Sequence, residues 1–168
     1  GTKQGGVAGR QLQHQRALLH HQPADFERAR RGLISQIDPP TIAGPAGNII
    51  WDVTRYDFIE GDAPASVNPS LWRQAQLNNI HGLFEVVPGI YQVRGYDISN
   101  ISFIRGETGW IVVDPLTVAE TAAAARALID EAFGLLPIHA VIYTHSHADH
   151  YGGIRGIVTD EEIASGEV

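Results

Sequence analysis

The stretch Tyr143-Thr-His-Ser-His-Ala-Asp-His-Tyr-Gly-Gly153 decides the reading of this chain. Three of its eight histidines, His145, His147 and His150, fall within six residues, with Asp149 among them. The preceding run, residues 138–143, is apolar and rich in branched residues, which predicts a buried strand. If that strand runs on to His147, its period of two puts His145 and His147 on one face. Gly152 and Gly153 would then let the chain turn sharply and bring Asp149 and His150 back toward the same point. Neutral imidazoles and a carboxylate suit a divalent transition metal such as zinc, bound by nitrogen and oxygen at about 2.0–2.2 Å. Four donors in six residues crowd one tetrahedral ion that must keep an open position, whereas two ions about 3.5–4 Å apart use them better. The competing reading is a polar loop at a strand end.

Working back from this stretch, Thr117 and Glu120 have the spacing of a capping box, opening a helix to Phe133 with Val118, Ala122, Ala125, Leu128, Ile129 and Ala132 at helical spacing. Gly134 closes it and Pro137 lies beyond. Before it come four strand-like runs, 83–87, 90–93, 98–104 and 110–113, with Pro88-Gly89 as a tight turn. The pattern is an antiparallel meander leading into a parallel βαβ unit, and ligands gather at the carboxyl ends of such strands. Asp114 ends the strand before the helix, close to where the next strand delivers His145. It is either a turn residue or a carboxylate standing behind the histidine loop and orienting it. His139 alternates away from that end and reads as structural.

Further upstream, Asn68-Pro69 is a helix start, with Leu71, Trp72, Ala75 and Ile80 facing inward. Residues 36–68 are rich in proline and glycine and read as an extended wrap, with a short edge strand over 48–54. Helices are predicted over 10–21 and from Asp25 to Gly32. Their apolar stripes are thin, so residues 1–35 are expected to dock on parts of the protein outside this chain. His14 and His21 would lie about 10 Å apart along such a helix, too far to share one ion. The organisation expected is therefore an arm and wrap over 1–68 and the first half of a catalytic domain over 69–168.

The formal charge of −7 argues against nucleic acid or anionic membrane as the main partner. Without cysteine there are no disulfides and no thiolate ligands. No apolar run approaches the ~18 residues of a membrane span, and the start lacks the apolar core of a signal peptide. Both ends look cut from a longer protein.

The His-x-His-x-Asp-His pattern at 145–150 resembles the signature of the metallo-β-lactamase superfamily. From Leu71 to Val158 the chain further resembles its alkylsulfatase branch, of the SDS-hydrolase type. That resemblance rests on Leu-Trp-Arg-Gln-Ala at 71–75, Asn-Asn-Ile-His-Gly-Leu-Phe at 78–84 and Val-Pro-Gly-Ile-Tyr-Gln-Val-Arg-Gly-Tyr-Asp at 87–97. It continues through Ile-Ser-Asn-Ile-Ser-Phe-Ile at 98–104, Gly-Trp-Ile-Val-Val-Asp-Pro-Leu at 109–116 and Thr-His-Ser-His-Ala-Asp-His-Tyr-Gly-Gly-Ile-Arg-Gly at 144–156. The resemblance implies an α/β fold, the N-terminal half of an αβ/βα sandwich preceded by N-terminal helices. It implies a two-zinc enzyme that hydrolyses alkyl sulfates to alcohol and inorganic sulfate. His145 and His147 would serve one zinc and Asp149 and His150 the other, with Asp149 also holding the nucleophilic hydroxide. The branch further implies a homodimer, a periplasmic or secreted location, downstream ligands beyond Val168, and carbon attack with inversion on secondary esters. On that view this piece holds half a site and is not active alone. The rival expectations are another hydrolase of the superfamily, acting on a lactam, thioester or phosphodiester, and a non-catalytic metal-stabilised binding module.

Overall fold

A computed structural model describes residues 23–168. The helix expected over 10–21, with His14, His20 and His21, lies outside the described residues.

Helix α1 (Pro23–Arg30) leads into a short strand β1 (Leu33–Ser35), and β2 (Thr41–Ala43) pairs with β3 (Ile49–Asp52) as a separate two-stranded ladder. Helix α2 (Pro69–Asn78) starts as its sequence predicts, with the Asn68 side chain accepting from Ser70 N–H at 2.8 Å and proline in the first turn. The meander β4 (Gly82–Val87), β5 (Ile90–Arg94), β6 (Ile101–Arg105) and β7 (Trp110–Val113) is antiparallel throughout. Helix α3 (Ala119–Phe133) then crosses to β8 (Ile138–Ile142), which lies parallel to β7. The six-stranded order is β1-β4-β5-β6-β7-β8. A helix α4 (Asp160–Ser165) follows the motif, opened by a capping box between Thr159 and Glu162.

Four expectations are corrected. Helix α2 buries none of its residues outright, and Leu71, expected to face inward, is exposed. Residues 23–35 dock within this chain: β1 pairs with β4, and Arg73 of α2 forms an ion pair with Asp25 and lies over the Phe26 ring, 5.6 Å from its centroid. A charged, stacked guanidinium thus replaces the apolar stripe that α1 lacks. The strand expected from Ile98 begins only at Ile101, because residues 95–100 are turned toward α3. Helix α3 has no capping box. Its N-cap is Val118, and the Thr117 hydroxyl is engaged with Asp97 instead.

The core lies between the sheet and α3. Thr121, Ala122, Ala125, Leu128 and Ile129 form the buried face of α3, at the i, i+4, i+7 spacing of one helical stripe. Opposite it, Trp110 is fully buried among Tyr91, Phe103 and Phe133, whose ring centroids lie 5.7, 6.2 and 5.8 Å away. Edge-to-face packing of this kind is worth about 0.5–1.5 kcal/mol per pair beyond area burial. Trp110 opens β7, so this cluster anchors the strand whose far end delivers Asp114.

Candidate metal centre

Strand β8 stops at Ile142, so His145 and His147 are not neighbours on a strand face as expected. Asp114 ends the ladder. Its N–H donates to Ile142 O at 3.0 Å, and its carboxylate accepts from Thr144 N–H at 2.8 Å and from Thr144 Oγ1 at 2.7 Å. Once Thr144 is bound sideways to β7's end, the chain leaves the sheet and forms a loop. That loop winds into a 3₁₀ turn, Ala148–His150. Burial alone would raise the Asp114 pKa. The two Thr144 donors and His150 outweigh it and hold the carboxyl below the usual range.

The Asp114–Thr144 contact also sets a tautomer. Thr144 Oγ1 has one proton, and the carboxylate can only accept it. The 2.9 Å contact between Thr144 Oγ1 and His145 Nδ1 therefore has the ring nitrogen as donor. A proton on Nδ1 leaves the lone pair of His145 on Nε2, 3.1 Å from His147 Nδ1. On the other side, His150 Nε2 lies 3.2 Å from Asp149 Oδ2. His150 Nδ1 sits 2.9 Å from Asp114 Oδ2, yet it is buried and lacks the alignment of a hydrogen bond.

Two donors held about 2.0–2.1 Å from one tetrahedral ion stand roughly 3.3 Å apart. The two close pairs, His145 with His147 and Asp149 with His150, have that spacing. Among the described residues no group of three or more His, Cys, Asp or Glu is arranged to hold an ion. The donors are of the types a divalent metal takes, and they lie in two close pairs. His145 and His147 are exposed and Asp149 and His150 half-buried, so the pairs open to solvent, flanked by an edge-to-face pair of exposed tyrosines, Tyr143 and Tyr151.

Several residues around this loop escape a reading by motif. Asp97, mostly buried, accepts four hydrogen bonds: Ile98 N–H at 2.7 Å and Thr117 Oγ1 at 2.6 Å on one oxygen, Thr117 N–H at 3.0 Å and Thr121 Oγ1 at 2.6 Å on the other. It places a negative charge at the start of α3, where the helix dipole favours one. Ser99 Oγ donates to the Asp149 carbonyl at 2.5 Å. Gly152 and Gly153 lie in a turn, as their sequence predicts, closed by Ile154 N–H to Tyr151 O at 3.2 Å, and neither has a positive φ. They are small because the backbone comes close: a Cβ on Gly152 would sit 2.2 Å from Thr117 O, and one on Gly153 2.1 Å from Pro115 O. Leu116, buried at φ 63°, is held there between Asp114 O and Gly153 N–H. Such a conformation costs a branched residue about 1–3 kcal/mol. His139 points away from the centre, to Thr108 Oγ1 at 2.9 Å.

A meander, a crossover helix and a donor-rich loop at the carboxyl end of the last strand make up the described fold. Residues 94–166 match the model of the Metallo-beta-lactamase superfamily. Over a longer stretch the chain is 50% identical to the alkyl/aryl-sulfatase BDS1 of Saccharomyces cerevisiae, covering 86% of this chain and 22% of that protein. It is also 50% identical to a linear primary-alkylsulfatase of Pseudomonas sp., covering 90% of this chain and 23% of the relative. The solved structure of the stereoselective inverting sec-alkylsulfatase Pisa1 from Pseudomonas sp. superposes with a TM-score of 0.81 at 48% identity, covering 88% of this chain and 23% of that one. The chain spans less than a quarter of the length of these relatives.

Proposed function

We propose that the whole protein hydrolyses alkyl sulfate esters to an alcohol and inorganic sulfate at a two-zinc centre built on this loop. The observation that carries the reading is the 50% identity to an alkyl/aryl-sulfatase over 145 residues, a span that covers 86% of the chain. The paired donor spacing supports the metal part. His145 and His147 would hold one ion, Asp149 and His150 the other, each with donors from elsewhere in the protein. When bound, such ions bring the pKa of a coordinated water to about 7 and supply positive charge to an anionic ester.

The chain's own residues prepare that centre. Asp114, through Thr144, keeps the proton of His145 on Nδ1 and its lone pair on Nε2. The same carboxylate stands 2.9 Å from His150 Nδ1. Asp149 presents its carboxylate beside His150 and would position the attacking hydroxide. Tyr143 and Tyr151 give the open side an amphipathic wall suited to a substrate with a charged head and an apolar tail. Homodimerisation and a periplasmic or secreted location, implied by the branch, belong to the same proposal.

The test uses the full-length protein, a chiral secondary alkyl sulfate and oxygen-18 water. Label in an inverted alcohol is the expected result. Label only in sulfate, with retained configuration, would refute attack at carbon. No turnover of any alkyl sulfate, primary or secondary, would refute the assignment.

A further inference from the structure

The loop at 95–100 has no place in the donor set, yet it touches it. Gly95 has φ 78°, and its carbonyl accepts from Trp51 Nε1 at 2.7 Å, tying the loop's start to β3. Asp97 ties its middle to Thr117 and Thr121 at the head of α3. Ser99 ties its end to Asp149, fifty residues downstream. In the 3₁₀ turn the backbone donors go elsewhere: His150 N–H to His147 O, Tyr151 and Gly152 N–H to Ala148 O. The next carbonyl, that of Asp149, is taken by the Ser99 hydroxyl.

From this geometry we infer that Ser99 is a positioning residue for one half of the metal centre, the Asp149–His150 pair, and not for the His145–His147 pair. The physical argument is local. A carbonyl held by this hydrogen bond fixes the Asp149–His150 peptide, and so the directions in which both side chains leave the backbone. His145 and His147 precede this peptide and are organised through Thr144 and Asp114. Gly95 and Asp97 anchor this loop before Ser99 and strand β6 begins at Ile101 after it, so the hydroxyl is presented from a supported segment rather than from a free loop. Removing outer contacts of metal ligands typically costs about 10–100-fold in affinity. Because Ser99 holds the backbone and not the ligand atoms, the lower end of that range applies.

The inference rests on the two-zinc reading, and the experiment separates the two. Full-length wild type, Ser99→Ala and Ser99→Thr are dialysed against graded chelator, and retained zinc per chain is measured, with thermal melting as a fold control. Ser99→Ala should lose one of its two zinc ions at about tenfold lower chelator than wild type, and release the other as wild type does. Ser99→Thr, which keeps the hydroxyl, should restore the wild-type profile. Release of both ions from Ser99→Ala at wild-type chelator concentrations, or an equal shift of both ions, would overturn the role of Ser99 while leaving the two-zinc reading intact. A wild-type protein that carries no metal would overturn that reading and this one with it. If Ser99→Ala melts early, the Ser99→Thr profile decides: loss of one ion despite the hydroxyl refutes the inference.

Discussion

Replacing Asp97 by Asn is the most discriminating change to the scaffold of this site. Each carboxylate oxygen accepts one backbone N–H and one threonine hydroxyl: Ile98 N–H with Thr117 Oγ1, and Thr117 N–H with Thr121 Oγ1. The hydroxyls can reverse direction; the Thr121 hydroxyl already has Val118 O as a second acceptor at 3.0 Å. The N–H groups cannot. Whichever way an Asn amide is flipped, its NH₂ faces one backbone N–H, leaving a part-buried donor unsatisfied at about 2 kcal/mol. At about 1.4 kcal/mol per factor of ten, local opening around the start of α3 should rise about 30-fold. Asp97→Ala removes all four bonds and the charge at the helix start, for about 4 kcal/mol and a thousandfold. Hydrogen–deuterium exchange of peptides covering 117–122 in the full-length protein measures this directly. Exchange of Asp97→Asn within about threefold of wild type would refute the argument that four fixed acceptor bonds hold α3 to the 95–100 loop.

Other outcomes follow from the same contacts. Asp149→Ala should abolish turnover and leave about one zinc per chain, read by metal analysis beside a turnover assay. Gly153→Ala forces a Cβ against Pro115 O and Val118 O, both backbone; it should destabilise by about 1–3 kcal/mol and lower the melting temperature. Trp110→Ala should cost about 3–5 kcal/mol, since the ring is fully buried among three aromatic partners. Tyr96 is buried, which pushes its phenol up to about 12 against the opposing Ile37 N–H bond. The native protein therefore keeps this proton after an unfolded chain has lost it. The contribution to stability is complete below pH ~10 and is lost as pH rises through about 12. Ultraviolet titration should show a late-ionising tyrosine, and Tyr96→Phe should remove that step.

The candidate donors were legible in sequence because they are local: four side chains of metal-binding type fall within six residues after an apolar run. The meander, the crossover helix and the Asn68 cap were legible for the same reason, since period, turn residues and caps act within a few positions. How the donors pair is a different matter. Strand β8 ends at Ile142 because Asp114, thirty residues before Thr144, captures Thr144 from the side, and no local signal in 138–147 records that. Helix α3 begins without a side-chain cap of its own because Asp97 supplies the charge from twenty residues upstream of Thr117. Gly152 and Gly153 read as turn formers and lie in a turn, but the need for glycine comes from packing: backbone carbonyls of 115–118 occupy the space a Cβ would need. Sequence by itself determined which atoms are available to bind and which elements carry them. Only the tertiary structure decided which of those atoms meet, because hydrogen bonds between distant segments depend on where the fold brings the backbone, not on spacing along the chain.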